Sequence, residues 1–145
     1  MKKTLYNPRK TKMIYVTLVT SIMLIQLFVF DIKSGMARDK AGIKAPATTG
    51  DETYERRNRI HLNTIELLII AIPSMWIFAN YVHALTAAGL GMVYVLGRVV
   101  FSRAYMSDPD KRGTGFMISM LPTIVLMFGG FIGIVVKIVK SGQLF

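Results

Sequence analysis

The chain of 145 residues contains no cysteine. Disulfides and thiolate metal sites are therefore excluded, and any thiol chemistry must come from a substrate. Only two histidines occur, His61 and His83, which argues against a histidine-rich metal site, and no metal is expected. The chain also lacks a glycine-rich nucleotide loop, a Ser/His/Asp set and any metal-ligand spacing. Carboxylates are scarce: eight Asp and Glu stand against eighteen Lys and Arg, a net charge of +10. A basic chain can suit nucleic acid. Here the cations flank apolar runs, so lipid headgroups or an anionic small molecule fit better, and nucleic acid is not an expected partner.

What is present is apolar. Hydrophobic residues make up 52% of the chain, and the mean hydropathy is +0.46. That is too apolar for an ordinary soluble domain. A spanning helix needs about 20 mostly apolar residues. Four segments meet or approach this: Met13–Phe30, Asn63–Val82, Ala84–Val100 and Phe116–Ile138. The expectation is an all-α, integral membrane four-helix bundle, one domain over residues 1–145, with apolar side chains facing lipid. Residues 1–30 carry the basic start of a signal peptide. Their apolar run exceeds the usual h-region of about 7–15 residues, and no clear cleavage site follows, so a retained first helix is expected. Gln26 is the polar interior residue of that helix and is expected to bond a neighbour.

Residues 31–49 read as a polar loop with Gly35, Gly42 and Pro46. Thr49 and Glu52 then fit a capping box, which starts the second helix. From there to Val82 the helix would be about 50 Å long, against a hydrocarbon core of about 30 Å. Its first turns must stand in the headgroup zone, which puts Arg56 and Arg59 there and Asn63 and Glu66 at or just under it. The four are spaced three, four and three apart and so form one stripe. A carboxylate at the depth of Glu66 needs a partner, and Arg59 or Arg98 could supply it, as a structural ion pair or within a binding site. Pro73 is expected to kink the helix.

Asn80–His83 reads as a tight turn, with His83 solvated and with Trp76 and Tyr81 in an aromatic belt. The third helix is rich in small residues and ends with a second polar stripe, Arg98, Ser102 and Tyr105. Asp108 and Pro109 form a helix start, with Asp108 as the N-cap. Arg112 falls in the first turn, where the helix dipole prefers anions. It either pairs with Asp108 or Asp110 or, together with free helix amides, binds an anion. Gly129 and Gly133 are spaced for a packing face. The three polar groups read as walls of one anionic-ligand site at a membrane surface.

Taken together, Arg59, His61, Asn63 and Glu66, then Gly97, Arg98, Ala104 and Tyr105, then Arg112, resemble the MAPEG family, the membrane-associated proteins of eicosanoid and glutathione metabolism, and within it the microsomal glutathione transferase branch. The resemblance covers about Glu55 to Arg112. It implies a four-helix subunit assembled as a homotrimer, with glutathione between neighbouring subunits near the cytosolic face. By motif position it implies glutathione contacts from Arg59, Asn63, Glu66, Arg98 and Tyr105, and thiolate stabilisation by Arg112. Leu67 and Phe101 replace tyrosines found in other members, which speaks against leukotriene synthesis. The loop arginine of the leukotriene branch aligns with Asp39, with Arg38 or Lys40 as substitutes.

The expected function is a glutathione transferase, with glutathione peroxidase as an accompanying activity, acting on lipophilic electrophiles that arrive from the bilayer. Arginines suit the two carboxylates of glutathione, and Glu66 suits its ammonium. A free thiol has a pKa of about 8.5, so a cation beside the sulfur is needed to favour the thiolate at neutral pH. Competing readings are a non-catalytic lipid-binding or scaffolding member of the family and a small four-helix drug/proton exchanger. The expected setting is a bacterial inner membrane rather than the endoplasmic reticulum. Seven Lys and Arg flank the termini (Lys2, Lys3, Arg9, Lys10, Lys12, Lys137, Lys140) and eleven lie on the opposite side. That count places the site face in the cytoplasm, although the dense N-terminal cluster pulls the other way.

Overall fold

The computed structural model describes the backbone of residues 8–142 and the side chains of residues 12–142. Lys2 and Lys3 of the N-terminal basic cluster lie outside the described residues, and so do the side chains of Arg9 and Lys10. Four helices follow one another: α1 Pro8–Lys40, α2 Glu52–Tyr81, α3 Ala84–Ser107 and α4 Gly113–Lys140, with a 3-10 turn at Pro109–Arg112 before α4. Each is long and apolar enough to cross a membrane. No strand occurs among the described residues.

Helix α1 extends ten residues past the expected end at Phe30. Gly35 does not break it, because a single glycine costs a helix only about 1 kcal/mol and no proline intervenes. The stop comes at Gly42, whose φ of 66° is a left-handed conformation. There Gly42 N–H reaches the Asp39 carbonyl at 3.0 Å and Ile43 N–H the Arg38 carbonyl at 3.2 Å, a Schellman closure. The Arg38 guanidinium then holds the loop, donating to the Ile43 carbonyl at 3.2 Å and the Ala47 carbonyl at 3.0 Å. The expected loop of residues 31–49 thus shrinks to its second half.

The start of α2 also differs from the expected Thr49/Glu52 pair. Asp51 is the cap, accepting the Tyr54 N–H at 2.8 Å. Glu55 reaches back to the Gly50 N–H at 2.8 Å. The ionised Asp51 makes a stronger acceptor for the helix amides than a threonine hydroxyl. Helix α2 runs through Pro73 to Tyr81, and only Val82 and His83 separate it from α3. His83 is exposed, as expected, and also caps α3, its ring Nδ1 accepting the Thr86 N–H at 3.3 Å.

The main core joins Val16, Val19 and Met23 of α1, Leu68, Ala71 and Met75 of α2, Ala87, Ala88 and Tyr94 of α3, and Leu126 of α4. Polar side chains lock the same helices. Gln26 Nε2 donates to the Val95 carbonyl at 3.0 Å. Trp76 is half-buried and donates to Thr20 Oγ1 at 3.0 Å, so it ties α2 to α1 rather than serving only as an interfacial ring. Gly129 and Gly133 face Phe78 and Val82 across the α2–α4 seam. At the other end of α4 the backbones come closest. A Cβ on Gly97 would lie 2.6 Å from the Ser119 amide nitrogen. That approach brings α3 and α4 together just below the polar stripes. Ile25, Phe28, Ile69, Phe128 and Phe131 point outward, as a lipid-facing surface requires.

Candidate functional site

A small second core, Phe30, Ile60 and Phe101, packs above the main one, with Tyr105, Met106 and Phe116 against it. On it opens a cavity of about 230 Å³. Its polar lining is Arg59 and Asn63 from α2, Tyr105 from α3 and Arg112 from the 3-10 turn. Phe101, Phe116 and Gly113 supply the apolar part. Three walls from three helical segments therefore meet here, because the α2 stripe, the end of α3 and the start of α4 lie at one end of the bundle.

Arg112 is the last residue of the 3-10 turn rather than a first-turn residue of α4. The helix start moves because Asp108 caps the short turn, accepting the Asp110 N–H at 3.0 Å. That amide is thereby satisfied by a side chain. Lys111, not Arg112, pairs with Asp108, at 3.4 Å. Arg112 donates to the Pro109 carbonyl at 3.1 Å and lies 5.6 Å from the centre of the Tyr105 ring. Among the described residues it makes no ion pair.

Glu66 does not line the cavity. It stands one turn deeper on the α2 stripe, 59% exposed, with Arg59 Nη1 at 4.0 Å. The Asn63 amide donates to Glu66 Oε2 at 3.5 Å. Such loose contacts leave its carboxylate available to a further cation. Arg98 is not its partner. Arg98 is fully buried and lies behind the cavity wall, its guanidinium 4.0 Å from the Phe101 ring centre. It donates to Asn63 Oδ1 at 3.0 Å and twice to Thr64 Oγ1, at 3.2 Å and 2.8 Å. Thr64 in turn donates to the Ile60 carbonyl at 2.7 Å. Thr64 is the residue the sequence reading missed. Its signal was a hydroxyl next to Asn63, one step off the polar stripe.

Behind the site Arg56 crosses to the end of α3, donating to the Met106 carbonyl at 2.9 Å, and also pairs with Glu52. His61 faces α1, with Nε2 3.5 Å from Asp31 Oδ1. Ser102, named in the second stripe, is not part of the cavity lining. Of the loop candidates, Arg38 is engaged with loop carbonyls, while Lys40 borders a separate recess with Asp51 and Thr53. No group of three metal-ligating side chains exists among the described residues.

The sequence pattern of the MAPEG family matches residues 16–132. The chain belongs to the MAPEG family. A protein of the cyanobacterium Synechocystis, sll1147, whose function is uncharacterized, is 35% identical over 92% of this chain and 98% of its own length. Human microsomal glutathione S-transferase 2 is 34% identical over 72% of this chain and 71% of its own. Bovine leukotriene C4 synthase is 26% identical over 67% of each. The matched region of the family contains all four helices, in whole or in large part. With four helices fit to span a bilayer, this MAPEG member is a multi-pass membrane protein.

Proposed function

We propose that the chain is a membrane-bound glutathione transferase that conjugates glutathione thiolate to lipophilic electrophiles. The observation that carries this is the lining of one cavity by Arg59, Asn63, Tyr105 and Arg112 beside Phe101 and Phe116. The relation to microsomal glutathione S-transferase 2 supports it. Arg59 binds a carboxylate of the tripeptide by forked hydrogen bonds. Glu66, loosely held, takes the ammonium. Arg112, free of carboxylate partners among the described residues, stands beside the sulfur. The thiol proton leaves to water, and the thiolate forms a carbon–sulfur bond with the electrophile. A leaving group then departs with its electron pair, or the acceptor carbon takes a proton. Lowering the thiol pKa by about two units needs about 2.7 kcal/mol of differential stabilisation, which asks that Arg112, exposed on the single chain, be covered by the ligand and a neighbouring subunit. In the peroxidase reaction the same thiolate attacks the terminal oxygen of a lipid hydroperoxide, the O–O bond breaks to release the alcohol, and a second glutathione converts the resulting sulfenic acid to the disulfide and water.

The working unit in this reading is a homotrimer with glutathione between subunits. The number three comes from the family resemblance. A covering neighbour has physical support: Glu66, below the first turns of a spanning helix, is 59% exposed on the single chain, and a carboxylate facing lipid is costly. The relation to a cyanobacterial protein supports a bacterial inner membrane; in this reading the count of Lys and Arg puts the site end in the cytoplasm. Glutathione binding and conjugation of a hydrophobic electrophile by the purified protein, with its mass measured in detergent, test the proposal. Absence of both binding and conjugation would end it, and an active monomer would end the trimer.

A further inference from the structure

A fully buried guanidinium inside a membrane bundle calls for an explanation when no carboxylate meets it. Arg98 has none within ion-pairing distance among the described residues. Its partners are Thr64 Oγ1 and Asn63 Oδ1. A guanidinium has only donors. Whatever atom of Asn63 faces it must therefore be the acceptor oxygen. Opposite stands Glu66, an acceptor-only carboxylate, which takes the amide Nδ2. The Asn63 amide is thus fixed from both sides: oxygen toward Arg98, nitrogen toward Glu66. Of its two N–H groups one answers Glu66, and the second remains for the cavity that Asn63 lines.

We infer that Arg98 is a positioning residue. It holds Asn63 so that this wall offers a hydrogen-bond donor, and the wall therefore selects a ligand with an acceptor there, a carboxylate oxygen above all. Arg98 does not touch the ligand. This rests on the glutathione reading for the identity of the ligand, but not for the geometry of the pair. Thr64 completes the device by locking the other side of the guanidinium, and Phe101, stacked on it at 4.0 Å, shields it from the cavity.

The test uses two variants of the full chain, Asn63→Asp and Asn63→Ala. The first keeps an acceptor oxygen against Arg98 and pairs with it, while presenting an acceptor in place of the donor to the cavity. The second leaves a buried donor of Arg98 unsatisfied. The expected thermal midpoint of Asn63→Asp without ligand lies above that of Asn63→Ala, since its pairing with buried Arg98 outweighs the exposed repulsion of Glu66, and that of Asn63→Ala is lower than wild type by about 3 to 8 °C. Both variants should lose about 10- to 100-fold in glutathione affinity, seen as a raised KM with kcat within about twofold. The advantage of Asp over Ala must persist when Arg59, the other arginine near Asn63, is replaced by Gln. A merely structural Asn63 would let binding follow stability, so wild-type affinity in Asn63→Asp overturns the inference. A midpoint of Asn63→Asp below that of Asn63→Ala overturns it as well. If the wild-type chain binds no glutathione, the ligand reading falls, and the stability order alone still decides the pairing with Arg98.

Discussion

The two ends of the bundle are polar in different ways. All eight carboxylates of the chain lie between Asp31 and Glu66 or at Asp108 and Asp110, on the cavity end. The opposite end, where α1 begins, α2 turns into α3 and α4 stops, has cations and no carboxylate side chain. Its described side-chain hydrogen bonds at the turn are local: His83 caps it through Thr86, and Asn80 donates to the Trp76 carbonyl at 2.8 Å. The contact between helices there, Lys137 of α4 with the Tyr81 ring of α2, is an exposed and looser one at 5.2 Å. At the cavity end the contacts cross between helices: Arg98 to Asn63 and Thr64, Arg56 to Met106, His61 to Asp31. A local polar contact finishes a helix end and asks little of the fold. A buried contact between residues on different helices is costly if misplaced, so it marks where positions are held for a purpose.

The largest effect is expected at Arg112. Replacing it with Ala should lower turnover by about 10- to 100-fold at pH 7 while glutathione stays bound through Arg59, Asn63 and Glu66. The bound thiol would return toward its solution pKa of about 8.5. The defect should therefore narrow as pH rises past that value. Titration of the thiolate's ultraviolet absorbance in wild type and variant reads this directly. An unchanged thiol pKa with unchanged turnover would reduce Arg112 to the turn contact it makes with Pro109.

Glu66→Gln comes next. Its present contacts, at 3.5 Å from Asn63 and 4.0 Å from Arg59, are too loose and exposed to matter much for folding. The expected loss is about tenfold in glutathione affinity, from the missing charge opposite the ammonium. The midpoint without ligand should not move. Equal loss of stability with and without glutathione would make Glu66 a structural ion-pair partner instead.

The contrast between the ends also explains how much can be read from the sequence. The helix number, the stripe on α2 and the use of Gly129 and Gly133 as a packing face follow from periodicity and residue size, which are local; that Phe78 fills the face does not. Gln26 is expected to bond across helices, since a lone amide in an apolar span has few alternatives. The end of α1 is not legible because Gly35 reads as a loop residue, whereas the helix continues over it to Gly42. The burial of Arg98 and the part played by Thr64 depend on how α3 crosses α2, a distance in space that no spacing along one helix encodes. The family pattern implies that Arg98 contacts the ligand, while the fold puts Asn63 and Phe101 between it and the cavity.

At the far end the expected effects are smaller. His83→Ala removes the cap of α3 and should cost about 1 kcal/mol. Lys137→Ala removes an exposed cation–π contact and should cost about 0.5 kcal/mol. Turnover should stay within about twofold of wild type in both, since neither residue borders the cavity. A large loss of conjugation in either, at unchanged stability, would mean that the two ends are coupled and the contrast between them is false.

The smallest effect belongs to Asp108, and it is a matter of pH. The Asp110 N–H, then Lys111, hold the Asp108 carboxyl below the usual carboxylate range. A lowered value means that the folded chain favours the ionised form. Its contribution is therefore complete above the unfolded value of about 3.9 and is lost as pH falls through the folded one. Asp108→Asn keeps the shape and one acceptor oxygen and removes only the charge. The midpoint difference between wild type and Asp108→Asn should be small, constant across neutral pH, and should close as the solution is taken below about pH 4. Thermal unfolding in detergent over that range measures it. The opposite end, with no carboxylate side chain, should show no comparable change in Lys137→Ala. A difference for Asp108→Asn that persists unchanged at low pH would mean that the Asp108 side chain acts on the turn before Arg112 through its shape and hydrogen bond, not through its charge.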